Sequence, residues 1–125
     1  MINAIKNAYT QYFSTSGRAT RSEYWLFYLY QCLVYLILVT LGAATSVYSK
    51  MDEGYFFLPI GLFSIFNIIP NFTILVRRLH DSSKSGWWVL LLCLSGPGVF
   101  ILFIFTLLGS EGDNKYGRNP YGFYL

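Results

Sequence analysis

The stretch from Tyr24 to Tyr48, YWLFYLYQCLVYLILVTLGAATSVY, contains no charged side chain and decides the fold class. Two further stretches, residues 55–76 and residues 87–108, share this property. As α-helices rising about 1.5 Å per residue, all three are long enough to cross a hydrocarbon layer of about 30 Å. A surface helix of a soluble protein would carry a polar face, and these stretches lack one. The sequence therefore predicts three transmembrane helices.

The composition of the 125-residue chain points to the same class. Hydrophobic residues make up 54% of the chain and charged residues only 12%, whereas soluble domains carry about 25% charged residues. We expect one all-α integral membrane domain over residues 1–125, with no soluble domain. Cys32 and Cys93 lie within apolar stretches, and we interpret them as small apolar side chains rather than as a disulfide pair.

The segment before the first span predicts a short amphipathic helix. Ile2, Ile5, Tyr9 and Phe13 recur at helical spacing, and polar residues occupy the other side. We expect this helix, residues 1–13, to lie in the membrane interface, the alternative being a frayed terminus. The residues Thr20-Arg21-Ser22-Glu23 that follow match a capping box and predict the start of the first span.

Basic residues collect at one end of the predicted spans. The first span is preceded by Lys6, Arg18 and Arg21, and the loop between the second and third spans contains Arg77, Arg78 and Lys84. The loop between the first and second spans has one lysine, Lys50, beside Asp52 and Glu53. The positive-inside rule then predicts a cytoplasmic N-terminus. Trp25, Trp87 and Trp88 are expected to anchor the same end at the level of the lipid headgroups.

The third span contains Gly96-Pro97-Gly98 near its middle. Because proline removes a backbone donor and glycine loosens the turn, we predict a kinked helix over residues 87–108. The alternative is a re-entrant hairpin, which would return residues 109–125 to the cytoplasm. This tail is rich in Gly, Asn, Asp and Pro, a composition typical of consecutive turns.

The candidate functional site is a basic rim at the cytoplasmic end, formed by Arg18, Arg21, Arg77, Arg78 and Lys84 with their neighbours His80, Asp81 and Ser85. Guanidinium groups match phosphate oxygens, and a helix start offers backbone amides to anions. We expect the rim to engage anionic lipid headgroups or a partner protein, without catalysis.

Two other interpretations of the rim stay open. In the first, the cations set topology only, with Arg77 and Asp81 paired along one helix turn and His80 either capping a helix end or donating to Asp81. Alternatively, His80 carries a proton in an enzyme that acts on a lipid-linked phosphate. Because three helices make a small bundle, a homo-oligomer or a membrane partner is a further expectation.

Gln31, Asn67 and Asn71 are polar side chains within the predicted spans. We interpret them as hydrogen-bonding links between helices, and the alternative is a polar path in a small transporter or channel subunit. The chain has one histidine and no hydrolase, nucleotide-loop or metal-ligand motif, so we predict no cofactor and no metal. Nucleic-acid binding has no support, because the basic residues flank the spans.

Three motifs in order carry a family resemblance: Gly17-Arg18-Ala19-x-Arg21-x-Glu23-Tyr24-Trp25, then Arg77-Arg78-Leu79-His80-Asp81 with Lys84-Ser85-Gly86-Trp87-Trp88, then Gly109, Gly112 and Asn114-x-Tyr116-Gly117 with Pro120. In these the chain resembles the bacterial inner-membrane proteins of the domain-of-unknown-function 805 family, the YhaH-like proteins. The resemblance implies a bacterial cytoplasmic (inner) membrane location and a polytopic helical fold. It implies no enzyme activity, substrate or catalytic residue.

Overall fold

The computed structural model describes residues 1–49 and 53–121 as an all-helical chain. Its α-helices are α1 (Ile2–Thr10), α2 (Arg21–Ser49), α3 (Glu53–Asp81) and α4 (Gly96–Leu107), and a 3₁₀ helix (Gly86–Leu94) precedes α4. Lys50 and Asp52, which enter the orientation argument, and the last four residues of the predicted tail lie outside the described residues. The side chain of Glu53 lies outside them as well.

Helices α2 and α3 are the two long apolar helices of the described chain. Each has 29 residues, so each is about 43 Å long, and both are apolar and long enough to cross a membrane. They contain the predicted segments 24–48 and 55–76. Their outward side chains are large, apolar and exposed, as at Leu36 and Ile65. Such a surface fits a lipid solvent better than water.

Helix α1 packs across the two long helices. Its buried side consists of Ala4 and Ala8, while Ile2 and Phe13 are exposed. The Tyr9 ring contacts Phe27 of α2 edge-on, at 5.6 Å between centroids. The helix ends at Thr10, three residues before the predicted limit. A helix therefore forms where the sequence predicts one, and its position in the membrane interface stays a prediction.

The prediction of a kinked helix that runs through residues 87–108 is wrong. The chain forms nine residues of 3₁₀ helix, reverses at Ser95, which has a positive φ of 55°, and starts α4 at Gly96. Pro97 occupies the first turn of α4, where its missing N–H would have no helical partner in any case. The proline thus starts a new helix instead of kinking an existing one.

The 3₁₀ helix and α4 form a hairpin packed beside α3. Both arms are about 18 Å long, because nine residues rise about 2.0 Å each and twelve rise about 1.5 Å each. The Trp88 and Phe105 rings meet at 5.4 Å near the open end. Near the turn, Gly98 lies against the Leu91 backbone so closely that a Cβ would overlap the Leu91 carbonyl. The chain therefore leaves the hairpin at the level where it entered.

Two local signals fix the start of α2 and the end of α3, which meet at the open end of the hairpin. The predicted capping box forms, since Glu23 N–H donates to Thr20 Oγ1 (3.2 Å) and Thr20 N–H donates to Glu23 Oε2 (2.9 Å). Helix α3 ends in a Schellman motif with Ser83 at φ 56°, in which Lys84 N–H donates to the Leu79 carbonyl (2.8 Å). The tail turns tightly where Asn114 and Gly117 exchange backbone hydrogen bonds.

Candidate functional site

The basic rim is built around the buried carboxylate of Asp81 at the end of α3. Arg18 Nε donates to Asp81 Oδ1 at 2.9 Å, and Arg78 Nη1 and Ser110 Oγ donate to Asp81 Oδ2. The Arg18 side chain is 3% exposed, and those of Arg78 and Asp81 are fully buried. We call Arg18, Arg78, Asp81 and Ser110 the Asp81 cluster. It joins the N-terminal loop, α3 and the tail.

Arg18 also binds the tail through backbone oxygens. Its Nη1 donates to the Gly112 carbonyl at 2.8 Å and to the Gly117 carbonyl at 3.1 Å. Its Nη2 donates to the carbonyls of Glu111 and Asp81, and the Glu111 N–H donates back to the Asp81 carbonyl at 3.0 Å. The fork-shaped guanidinium is therefore filled by acceptors of the protein itself.

Arg78 and Arg21 cap the C-terminus of α4. The last carbonyls of a helix lack partners within the helix and carry partial negative charge. Here Arg78 Nε donates to the Thr106 carbonyl at 3.1 Å, Arg78 Nη2 donates to the Leu108 carbonyl, and Arg21 Nη1 donates to the Leu107 carbonyl at 3.2 Å. The two arginines thereby hold α4, the second arm of the hairpin, against the start of α2 and the end of α3.

Arg77 faces the N-terminal segment instead of Asp81. Its Nη1 donates to Gln11 Oε1 at 2.6 Å. Its carbonyl accepts from the Ala19 N–H at 3.1 Å, and the Ala19 carbonyl accepts from Arg78 Nη1 at 3.1 Å. The pairing of Arg77 with Asp81 that the four-residue spacing indicated is therefore wrong, because Asp81 forms its salt bridge along the helix with Arg78, three residues away.

His80 does not donate to Asp81, so the interpretation of these neighbours as a hydrogen-bonded pair is wrong. His80 Nδ1 lies 3.3 Å from the Gly17 carbonyl, and the imidazole stacks on the Tyr116 ring at 3.9 Å with the planes 4° apart. Its carbonyl accepts from Asn114 Nδ2 at 2.9 Å. Adjacent helix positions point in different directions, and here His80 faces the tail while Asp81 faces the buried arginines.

Lys84 and Ser85 lie at the entrance to the hairpin. Ser85 Oγ accepts from the Trp87 N–H at 3.4 Å, so the serine side chain caps the 3₁₀ helix. The Lys84 ammonium lies over the Phe105 ring of α4, 5.6 Å from its centroid. The start of the 3₁₀ helix, which the sequence indicated as an anion site, is thus capped by the side chain of Ser85. Lys84 lies beside this helix start and is partly exposed.

The exposed cations of this end differ from the buried arginines. Arg21, Lys115 and Arg118 are exposed, and the Lys115 ammonium lies over the Tyr116 ring at 5.0 Å. Two exposed acids of the tail, Glu111 and Asp113, partly offset their charge. The groups able to meet a ligand from outside are therefore this outer set with Lys84, rather than the predicted Arg18, Arg77 and Arg78.

The three tryptophans lie close to the rim. Trp25 contacts Phe103 of α4 edge-on at 5.9 Å, and Trp88 contacts Phe105 at 5.4 Å. Trp87 is 78% exposed beside them. All three therefore lie at one end of the molecule, at the level of the last turns of α4.

The polar side chains of the predicted spans join helices. Gln31 of α2 and Asn71 of α3 exchange hydrogen bonds of 2.7 and 3.3 Å. Asn67 Oδ1 accepts from Tyr9 Oη of α1 at 2.8 Å, and its Nδ2 donates to the Phe63 carbonyl at 2.8 Å. Burial raises the pKa of the Tyr9 phenol, which keeps this donor protonated. In the structure these side chains therefore link neighbouring helices.

Several residues of the site had no clear signal in the sequence. Gln11 and Ser110 are polar residues in segments predicted as a helix end and as turns, and backbone carbonyls leave no trace in side-chain patterns. Tyr116, Gly112 and Gly117 belong to the third family motif, which assigns them no role. Among the described residues, no group of three or more His, Cys, Asp or Glu side chains could hold a metal ion.

Comparison with known proteins shows the family of the chain. Residues 12–118 match the family described as "Protein of unknown function (DUF805)". The chain belongs to the DUF805 family. It is 31% identical over 120 residues to inner membrane protein YhaH of Escherichia coli strain K12, a match covering 95% of this chain and 93% of that protein.

A second relative gives the same result. The chain is 31% identical over 120 residues to inner membrane protein YhaI of Escherichia coli strain K12, covering 95% of this chain and 92% of the relative. No solved structure matches the chain significantly. The DUF805 family, the inner-membrane relatives and the two long apolar helices together indicate a membrane protein of a family without an assigned activity.

Proposed function

We propose that this chain is a non-enzymatic, multi-pass inner-membrane protein whose basic rim engages anionic lipid headgroups at the cytoplasmic surface. One observation carries the proposal: the exposed or partly exposed cations Arg21, Lys84, Lys115 and Arg118 lie at the end of the molecule that also holds the tryptophans. Trp25 and Trp88 contact Phe103 and Phe105 of α4, and in the proposed orientation they lie on the membrane side of these cations.

The orientation follows from charge and from the hairpin. Basic residues flanking spans favour the cytoplasmic side, and tryptophan rings favour the headgroup level. Helices α2 and α3 then cross the membrane, with the N-terminus in the cytoplasm. The hairpin arms of about 18 Å are shorter than a hydrocarbon layer of about 30 Å. The hairpin is then re-entrant, and the tail lies beside the N-terminal loop.

The buried arginines have a supporting role in this proposal. Arg18 and Arg78 are occupied by Asp81 and by backbone carbonyls, so they hold the loop, the hairpin and the tail together. The outer cations are thereby presented on a folded surface. A basic residue near an anionic membrane contributes about 1 kcal/mol, and Glu111 and Asp113 reduce the sum, so the preference for anionic lipid should be moderate and sensitive to salt.

Native mass spectrometry of the protein released from mixed bilayers of phosphatidylglycerol and phosphatidylcholine tests the proposal. The unaltered protein should retain phosphatidylglycerol several-fold above its share of the bilayer. The variant Lys84→Gln/Lys115→Gln/Arg118→Gln, which keeps Arg21, should retain several-fold less phosphatidylglycerol than the unaltered protein. Lys84→Arg/Lys115→Arg/Arg118→Lys keeps every charge and should behave as the unaltered protein. Equal retention of phosphatidylglycerol by all three proteins would contradict the proposal.

A further inference from the structure

An apolar groove separates α2 and α3 from the hairpin. It has a volume of about 540 Å³, within the range of small-molecule sites, and opens along the outside of the helices. Side chains of α2, α3 and both arms of the hairpin line it, and those used below are Trp25, Tyr28, Phe72, Leu75, Val99 and Phe103. We call it the interhelix groove.

The lining of the interhelix groove suits hydrocarbon and offers little to a polar ligand. The amide of Asn71 is bonded to Gln31, and Thr106 Oγ1 donates to the Phe103 carbonyl at 2.7 Å. The rest of the wall is aliphatic or aromatic, and its further polar groups are the hydroxyls of Tyr24 and Tyr28 and the indole N–H of Trp25. The groove lies within the apolar lengths of α2 and α3, so under the proposed function it faces lipid chains.

A cation lies at the cytoplasmic mouth of the groove. Arg21 precedes Tyr24 and Trp25 by three and four residues and Tyr28 by seven, so these side chains share one face of α2. On the other side of the mouth, Arg21 Nη1 donates to Leu107, the residue after groove-lining Thr106. Arg21 is exposed there, and a guanidinium carries five donors suited to phosphate oxygens.

We infer that the interhelix groove binds one acyl chain of an anionic phospholipid whose phosphate contacts Arg21. The inference rests on the proposed function, because it requires the membrane placement of α2 and α3. It goes further because it assigns one lipid to a defined site, whereas the rim alone attracts headgroups without fixing their position. Two features select the lipid: an apolar channel for its chain and a cation at the mouth for its phosphate.

The test uses the fluorescence of Trp25, which lines the groove. The chain has three tryptophans, so Trp87→Phe/Trp88→Phe leaves Trp25 as the sole emitter. This protein is placed in phosphatidylcholine bilayers that contain a minor fraction of phosphatidylglycerol brominated on its chains, since bromine quenches a nearby indole. Quenching should exceed several-fold that from the same fraction of brominated phosphatidylcholine, and unlabelled phosphatidylglycerol should reverse it.

Two matched substitutions on α4 locate the quenching lipid. Val99 lines the groove, and Ile101 on the same helix is exposed outside it. In the sole-Trp25 protein, Val99→Phe fills the groove and should lower the excess quenching several-fold, whereas Ile101→Phe should leave it unchanged. Arg21→Gln should likewise lower the preference for phosphatidylglycerol, to the level that the other rim cations maintain. Equal quenching of all variants in fully brominated phosphatidylcholine verifies that each one is folded in the bilayer.

Each remaining outcome overturns the inference in a distinguishable way. Equal quenching by the two brominated lipids means that no anionic lipid is held at the groove. Excess quenching that is the same in the Val99→Phe and Ile101→Phe variants means that the rim gathers lipid without a groove site, and the proposed function stands. Quenching that falls as more protein is packed into the bilayer means that a second copy of the chain covers the groove. Failure of the proposed function itself appears in the mass-spectrometric comparison of the charge-neutralised and charge-conserving rim variants, none of which alters the groove.

Discussion

Arg18 and Asp81, 63 positions apart in the sequence, form a salt bridge of 2.9 Å between Nε and Oδ1 with side chains 3% and 0% exposed. Removing two charges from water costs free energy that their attraction alone rarely returns. The remaining donors and acceptors must therefore find partners, and here Arg78, Ser110 and tail carbonyls supply them. The Asp81 cluster thus fixes the geometry of the rim, while the outer cations stay available to a ligand.

Replacing the carboxylate should be among the most destabilising single changes in the chain. Asp81→Asn leaves the guanidinium groups of Arg18 and Arg78 buried without a counter-charge, and breaking a buried pair in this way costs about 3–5 kcal/mol. Asp113→Asn is the matched control, because Asp113 is exposed and its Oδ1 accepts from the Asn119 N–H, which an asparagine also allows. The control should change stability by no more than about 0.5 kcal/mol.

Denaturant unfolding of both variants in detergent measures the difference. Similar midpoints for Asp81→Asn and Asp113→Asn would mean that the Asp81 cluster does not stabilise the fold. Arg18→Lys gives a second measure, since an ammonium cannot reproduce the fork that reaches Asp81 and three tail carbonyls. It should expose the tail to protease while the long helices persist.

The hairpin predicts an asymmetry between two glycines two positions apart. At Gly98 a Cβ would overlap the Leu91 carbonyl, a backbone atom that cannot swing aside, whereas at Gly96 it would meet nothing within 4 Å. Gly98→Ala should therefore destabilise the protein by about 1–3 kcal/mol through overpacking. Gly96→Ala lies in the first turn of α4 and should be neutral within about 1 kcal/mol.

Thermal unfolding of the two glycine variants in the same detergent gives the comparison. If both variants melt with the unaltered protein, the arms of the hairpin are not packed against each other at Gly98. If both are destabilised equally, the cause is the backbone freedom of glycine and not the contact with Leu91.

Local patterns in the sequence predict local structure well here. The absence of charge over residues 24–48 and 55–76 indicated the two long helices, and the spacing of Thr20 and Glu23 gave the capping box that forms. These features depend on residues a few positions apart, which one helix turn brings together. The turn-rich tail was predicted from its composition for the same reason.

Long-range structure was not available from those patterns. Arg77 and Arg78 are neighbours in sequence, and only tertiary packing decides that Arg78 meets Asp81 while Arg77 meets Gln11. Pro97 has two compatible roles, a kink within a helix or the first turn of a new one. The contacts that select the second role, such as Trp88 with Phe105, lie across the hairpin and have no local signature.

The amide pair between α2 and α3 should contribute a small, measurable coupling. Gln31→Leu and Asn71→Leu each leave one amide in an apolar setting, and the double variant leaves none. Hydrogen bonds between membrane helices average about 0.6 kcal/mol in double-mutant cycles, with a maximum of about 1.7 kcal/mol. We expect a coupling energy in that range from unfolding in mixed micelles. The hydroxyl groups of Tyr35 and Ser64, bonded at 2.9 Å, allow a second double-mutant cycle between the same helices. An absence of coupling in both cycles would contradict these hydrogen bonds.

The hairpin predicts that both ends of the chain lie on one side of the membrane. Exposed positions suited to labelling are Thr15 before α2, Ser49 at the far end of α2 and Lys115 in the tail. Each is replaced singly by cysteine in a chain whose Cys32 and Cys93 are changed to alanine. An impermeant maleimide should label positions 15 and 115 in inverted vesicles and position 49 in spheroplasts, because Arg18 binds the tail directly at Gly112 and Gly117. Labelling of position 115 together with position 49 would require a third full crossing and would separate Arg18 from the carbonyls that it binds.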